Sequence, residues 1–399
     1  MKTQRDAWCY NASRATVATN IKKTVTVYND VVDRLMTEYP GLDKKSREAV
    51  MDNVITTDPT KISWTSSLRQ GLVNSRKVSF DESSLCSSLY RPFNKEWLYF
   101  NRSLNERVYQ MPRLFPYAEA ENLLIVIKQR LNNNGNFSLM TDHLIELQTD
   151  GGTQCFPLYL YEPIKSETTP KSGMEDLFAE AGEMAAAEAQ GYRRRDAITD
   201  EGLAHFQDAY PDEKITKEDL FYYVYGLLHS PDYRARFADN LSKELPRIPS
   251  VQVAADFWAF SKAGRALGDL HVNYEAAPQY AGVTITGESD GVSYRVEKMR
   301  YGGKGGKDKS ILHYNGAITV SGIPLDAYDY VVNGKSALDW VVERQRVKVD
   351  KASGIVNDAN DWATETMNNP RYPLDLFLRL ITVSLETLAI VRTLPKLEI

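Results

Sequence analysis

This chain of 399 residues predicts a mixed α/β (α+β) fold, a two-lobed molecule of small mixed sheets with packed helices. Three observations lead there. Apolar residues recur every three or four positions in some stretches, and run continuously or alternate in others, and the two patterns interleave along the chain. That interleaving excludes a helical bundle and an all-β sandwich. No internal repeat is evident. Between residues 162 and 190 the composition shifts from Ser, Thr, Pro, Lys and Gly to the Ala/Glu-rich EDLFAEAGEMAAAEAQ, as in an exposed linker with one helical portion. The boundaries that follow are a connector at 1–41, an N-terminal lobe at 42–165, a linker at 166–196 and a C-terminal lobe at 197–399.

Each element has its own signal. Ser13 caps a helix that Pro40-Gly41 stops, with Val17, Ile21, Val25, Tyr28, Val32 and Leu35 on one face. Its apolar face packs either within this chain or on an upstream domain. Residues 58–78 are rich in Ser and Thr, with Trp64, Arg69 and Arg76, and read as loop and short strand. This stretch is a surface loop, or else faces a phosphate backbone. NLLIVIK (122–128) is a buried strand, and 144–147 and 155–161 are further strands, separated by a turn at Gly151-Gly152. Thr199 or Asp200 caps a helix, and Thr216 and Asp219 form a capping box on the next. Ser230-Pro231 opens a third helix, and PRIP at 246–249 forces an extended segment. An amphipathic helix follows at 251–267, with Phe257, Phe260, Ala263 and Leu267 in the core. Strands at 292–300 and 311–320 flank a basic loop, and helices at 338–347 and 374–391 close the chain.

Composition narrows the function. Lys and Arg number 48 against 53 Asp and Glu, a net charge of −5, which argues against a purely electrostatic nucleic-acid binder. It leaves room for a protein that gathers its cations on one face. Three widely spaced cysteines (Cys9, Cys86, Cys155) suit free thiols in a reducing cytoplasm. MKTQRDAW has no secretory h-region, and the apolar runs are too short to span a membrane.

Residues 90–115 read YRPFNKEWLYFNRSLNERVYQMPRLF and are dense in cations and aromatics. Arg91, Lys95, Arg102, Arg107 and Arg113 alternate with Tyr90, Phe93, Trp97, Tyr99, Phe100, Tyr109 and Phe115. Arginine binds phosphate and guanine edges bidentately, and aromatics stack on bases or brace arginines. An ordinary strand and helix with a solvated basic face accounts for the same residues. If 90–102 is extended, Arg91, Phe93, Lys95, Trp97 and Tyr99 share one side. Glu106 precedes Arg107 directly, too close for a helical ion pair, which frees Arg107 for a partner.

This stretch resembles the C-terminal target-recognition region of type ISP restriction–modification enzymes. So do DLFYYVYGLLHSPDYRARFADNLSKELPRIP (219–249), YVVNGKSALDWVVERQRVKVDKASGIVNDANDW (330–362) and YPLDLFLRLITVSLETLAIVRTLPKL (372–397), and TQRDAWCYN at the start resembles the junction that follows the methyltransferase core in those enzymes. The resemblance implies a module that reads double-stranded DNA at a specific sequence. Methyltransferase and translocase–nuclease domains of the same or a neighbouring polypeptide would then methylate adenine, translocate and cleave. It makes residues 1–41 a connector following a methyltransferase domain that the chain lacks.

The motifs of those activities are missing. There is no Asn-Pro-Pro-aromatic tetrapeptide, since Asn369-Pro370 is followed by Arg371, and no Gly-rich loop for a methyl donor. Gly305-Gly306-Lys307-Asp308 lacks both the leading Gly and the Ser/Thr of a phosphate-binding loop. Neither Glu-x-Lys nor Gln-x-Lys occurs. His143, His205, His229, His271 and His313 have no metal-ligand spacing, and His229 reads as a packing or capping residue. No catalytic residue, metal or cofactor is therefore expected in this chain. The alternative is a divergent or partial site-specific adenine DNA methyltransferase or restriction enzyme with its own activity.

A second candidate surface is KMRYGGKGGKDK (298–309), a Gly-rich basic loop that is either a phosphate contact or a solvated hairpin tip. The candidate DNA-binding residues are Arg91, Lys95, Arg102, Asn105, Arg107, Gln110 and Arg113 on the first surface. On the second they are Lys298, Arg300, Lys304, Lys307 and Lys309.

Overall fold

The computed structural model describes residues 1–128, 138–147, 152–164 and 187–399. At its centre is the three-stranded antiparallel sheet Ser138–Thr141, Leu124–Lys128, Thr153–Pro157, with Leu124–Lys128 in the middle. Successive side chains of a strand point to opposite faces. Leu124, Val126 and Leu139 thus enter one hydrophobic core, and Ile125, Ile127 and Met140 enter another. The continuous apolar run of NLLIVIK is the sequence mark of a strand that serves two cores.

The larger core joins the beginning of the chain to its end. The helix Arg14–Glu38, capped by the Ser13 hydroxyl on Thr16 N–H, buries Val17, Ile21, Tyr28, Val31, Val32 and Leu35 there. The apolar face of that helix packs within this chain. It shares the core with Leu338 and Trp340 of the helix Ala337–Arg344, and with the first half of the helix Tyr372–Arg392. The smaller core is built by the helices Asp200–Ala209, Lys217–His229 and Ala254–Val272. Residues before and after 166–196 share the larger core, because its sheets and helices close on partners distant in sequence.

The last two of these helices cross with almost no side chain between them. A Cβ on Gly264 would lie 1.9 Å from the Tyr222 carbonyl oxygen, and one on Gly226 would lie 2.1 Å from that of Phe260.

The caps at Thr199, at Thr216 with Asp219, and at Ser230 all form. Other segments differ from expectation. Residues 58–78 contain a helix, Ser66–Val73, because Thr65 caps it and Leu68 and Leu72 bury one face. A further helix, Lys44–Val54, precedes it. Residues 155–161 break at Leu158 into two strands of separate sheets. The end of the expected linker is a strand, Tyr192–Asp196, paired with Tyr159–Pro163. The expected strand 292–300 joins a ladder only at Arg300, since the Asn360 side chain satisfies both the N–H and the carbonyl of Val296. Residues 311–320 turn back as a hairpin of Asp308–His313 with Thr319–Ser321. Gly151 and the Ala/Glu-rich portion up to residue 186 lie outside the described residues.

Candidate nucleic-acid interface

Residues 90–102 do not run straight. The strands Leu85–Arg91 and Asn94–Tyr99 form a tight hairpin with Arg91 opposite Asn94. Phe93 takes the left-handed φ of 57°, uncommon for a bulky residue, and is held there by burial against Tyr274 and Tyr330. The reversal interrupts the alternation that would have set Arg91, Phe93, Lys95, Trp97 and Tyr99 on one side.

Burial changes the role of the first two cations. The Arg91 side chain is only 14% exposed, lies over the Tyr90 ring, and has Asp6 and Glu146 at 3.9 and 3.8 Å. Lys95 Nζ sits 2.8 Å from Glu275 Oε2 with its side chain 12% exposed. Both cations are committed to the fold. Asn105 is buried, and its Oδ1 accepts from Asn101 N–H, which shapes the loop that carries Arg102.

The remaining members of this surface face solvent. Arg102 is exposed, with no ion pair among the described residues. The Arg107 side chain is 60% exposed, with Glu106 Oε1 3.7 Å away. The helical-spacing argument does not apply to that neighbour, because 101–110 is irregular. The buried Glu106 carboxylate also accepts from Ser67 N–H. Gln110 is exposed and its side chain makes no cap bond. Arg113 shares Glu162 with Arg195, at 3.4 and 2.8 Å.

The second surface is a hairpin as expected. Arg300–Gly302 pairs with Asp308–His313, and Gly303, Gly305 and Gly306 at its tip all have φ near +70°, a conformation glycine adopts without strain. Lys298, Arg300, Lys304 and Lys307 are exposed and make no ion pair among the described residues. Arg300 faces His313 across the ladder, then come Thr319 and Thr286, so a polar row crosses the sheet. Lys309 differs from the others. Its Nζ reaches both Asp339 oxygens at 2.9 and 3.1 Å, and lies over the rings of Tyr328 and Tyr301. Burial pushes the Asp339 carboxyl up, but hydrogen bonds from Lys309, Ser336 and Tyr301 outweigh it and hold it below the usual carboxylate range.

His229 and His271 are buried side by side, with ring centroids 5.5 Å apart. Burial drives His229 down to about 3, and its Nδ1 is 2.8 Å from the Tyr225 carbonyl oxygen. His229 is a packing residue. Among the described residues no three His, Cys, Asp or Glu side chains converge as a metal site, and no helix is long and apolar enough to cross a membrane.

The Type ISP C-terminal specificity domain family matches residues 1–376. The chain belongs to that family. Solved structures agree across the full length of this specificity domain. It is 35% identical, with a TM-score of 0.81, to a nuclease-deletion mutant of the Type ISP restriction-modification enzyme LlaGI in complex with a DNA substrate mimic. It is 32% identical, again with a TM-score of 0.81, to the ATP-dependent Type ISP restriction-modification enzyme LlaBIII bound to DNA. A DrdV–DNA complex is 28% identical with a TM-score of 0.77. Each match covers 100% of this chain but only 33%, 23% and 36% of the other, so the specificity domain spans about a quarter to a third of their length. No curated protein matches it.

The sequence reading missed Lys44, which the helix Lys44–Val54 sets beside Arg69 and Gln70. A lone lysine in a run of charges carries no signal of what it will face.

Proposed function

We propose that this specificity domain is the sequence-reading module of a Type ISP restriction–modification system. It binds double-stranded DNA and positions it for adenine methylation, translocation and cleavage by methyltransferase and translocase–nuclease domains of the same or a neighbouring polypeptide. The observation that carries this reading is the full-length likeness, at 35% identity, to an enzyme of that type held on a DNA substrate mimic. The exposed cations fit it. Lys304 and Lys307 present charge from a glycine-rich tip, and Lys298 and Arg300 from the edge beside it, as phosphate contacts do. Arg107 and Gln110 carry the donor geometry for base edges. The chain has no catalytic residue and needs no cofactor of its own, and it works in the cytoplasm.

The test is selection from a randomised duplex pool with the purified chain, followed by titration of the selected and scrambled duplexes at matched salt. Enrichment of one sequence and tighter binding to it are expected. Equal binding to both at every salt concentration would overturn sequence reading.

A further inference from the structure

Cations gather in one groove of about 480 Å³ where, among the described residues, no Asp or Glu forms a wall. Lys44 comes from the helix Lys44–Val54, Gln70 and Asn74 from the helix Ser66–Val73 and its cap, Arg76 from the segment beyond, and Arg102 and Ser103 from the loop after the hairpin. Lys77 also lines the groove but is paired with Asp33 at 2.7 Å. Lys44, Arg76 and Arg102 are exposed and make no ion pair among the described residues. Three unpaired cations repel one another, and the chain carries 53 carboxylates that could have neutralised them.

The backbone beneath these cations is held firmly. Tyr28 Oη donates to the Arg76 carbonyl at 2.8 Å, and the Asn29 side chain bonds both the N–H and the carbonyl of Val78, at 3.0 and 2.9 Å. Gly71 leaves room for that Tyr28 hydroxyl, which a Cβ would meet at 2.6 Å. The Arg102 loop is braced by Asn101 and the buried Asn105. Lys44 stands in the first turn of its helix, where the macrodipole disfavours a cation and favours an anion. The Gln70 amide and the Ser103 hydroxyl have no protein partner among the described residues and can donate to phosphate oxygens.

We propose that this groove seats the phosphate backbone of DNA, as a contact surface separate from the 298–307 hairpin, with Lys44, Arg76 and Arg102 as the charged contacts. The inference rests on the DNA-reading function above. Phosphate contacts carry no sequence information, so the groove adds affinity and register and leaves base choice to other residues.

The experiment compares wild type, Lys44→Ala/Arg76→Ala/Arg102→Ala, and Arg76→Lys/Arg102→Lys, each first shown to melt as a folded protein. Affinity for selected and scrambled duplexes is measured from 50 to 200 mM salt. Removing one cation from a phosphate should lower the log–log salt slope by about 0.9, so the triple Ala variant should fall by about 2–3 on both duplexes. The Lys variant should keep the wild-type slope. If wild type binds and the hairpin variant Lys304→Ala/Lys307→Ala lowers the slope, but the groove variant does not, the groove is no backbone seat and the module reading stands. A loss of affinity on the selected duplex alone, with the slope unchanged, would make these base contacts and also overturn the proposal. Failure of wild type to bind either duplex would overturn both readings.

Discussion

Lys304, Lys307 and Lys309 lie within six residues of one another, yet the structure assigns them opposite fates under substitution. Lys309→Ala removes a cation held by both Asp339 oxygens, with side chains 38% and 26% exposed. A partly solvated pair of this kind contributes up to about 1 kcal/mol. The ring of Tyr328 at 4.7 Å and that of Tyr301 at 5.5 Å add roughly 0.5–1 kcal/mol between them. The loss of stability should be about 1–2 kcal/mol. At about 2.1 cal/mol/K per residue that is a fall of only about 1–2 °C in Tm, so urea denaturation is the better assay. Lys304→Ala/Lys307→Ala should leave stability unchanged and lower the salt slope of DNA binding by about 1.8. Urea midpoints and salt titrations on the same preparations decide it. A Lys309→Ala protein of wild-type stability with a reduced salt slope would refute the reasoning, because it would make Lys309 a DNA contact and its pairing with Asp339 inconsequential.

Other outcomes follow from the same structure. Gly264→Ala should destabilise by about 2–4 kcal/mol despite the better helix propensity of Ala, since the helices must part to admit the methyl group. A variant as stable as wild type in urea would mean that the crossing is looser than described. Burial pushes the Glu96 carboxyl up to about 7, against hydrogen bonds from Asn357 and Asn94. A raised carboxyl favours the folded state fully below the unfolded pKa of about 4.5, and that contribution is lost as pH rises through about 7. Between pH 4 and pH 8 wild type should therefore lose about 3 kcal/mol relative to Glu96→Gln, and parallel stability curves would contradict the shift. Arg107→Ala should cost about 1–3 kcal/mol on the selected duplex and much less on a scrambled one; equal losses would demote Arg107 to a phosphate contact. The purified chain should transfer no labelled methyl group to DNA above a mock preparation, and incorporation would favour the enzyme alternative.

Local chemistry determined a good part of this protein without reference to tertiary contacts. Ser13, Thr199, Thr216 with Asp219, and Ser230 cap helices because each needs only a hydroxyl or carboxylate within three residues of an unpaired N–H. The uninterrupted NLLIVIK run revealed a buried strand, and the Gly-rich 303–307 segment revealed a hairpin tip, since only glycine takes those φ values freely. The blocks that resemble type ISP enzymes showed the family. Which cations stay exposed was decided only by the tertiary structure. Arg91 and Arg107 look alike in sequence, but Arg91 meets Asp6 and Glu146, both far from it along the chain, while Arg107 projects into solvent. Lys309 is lost to Asp339, and Lys44, Arg76 and Arg102 are brought to one groove, by the same cause. A side chain's partner is set by where distant segments pack, and no local pattern records that distance.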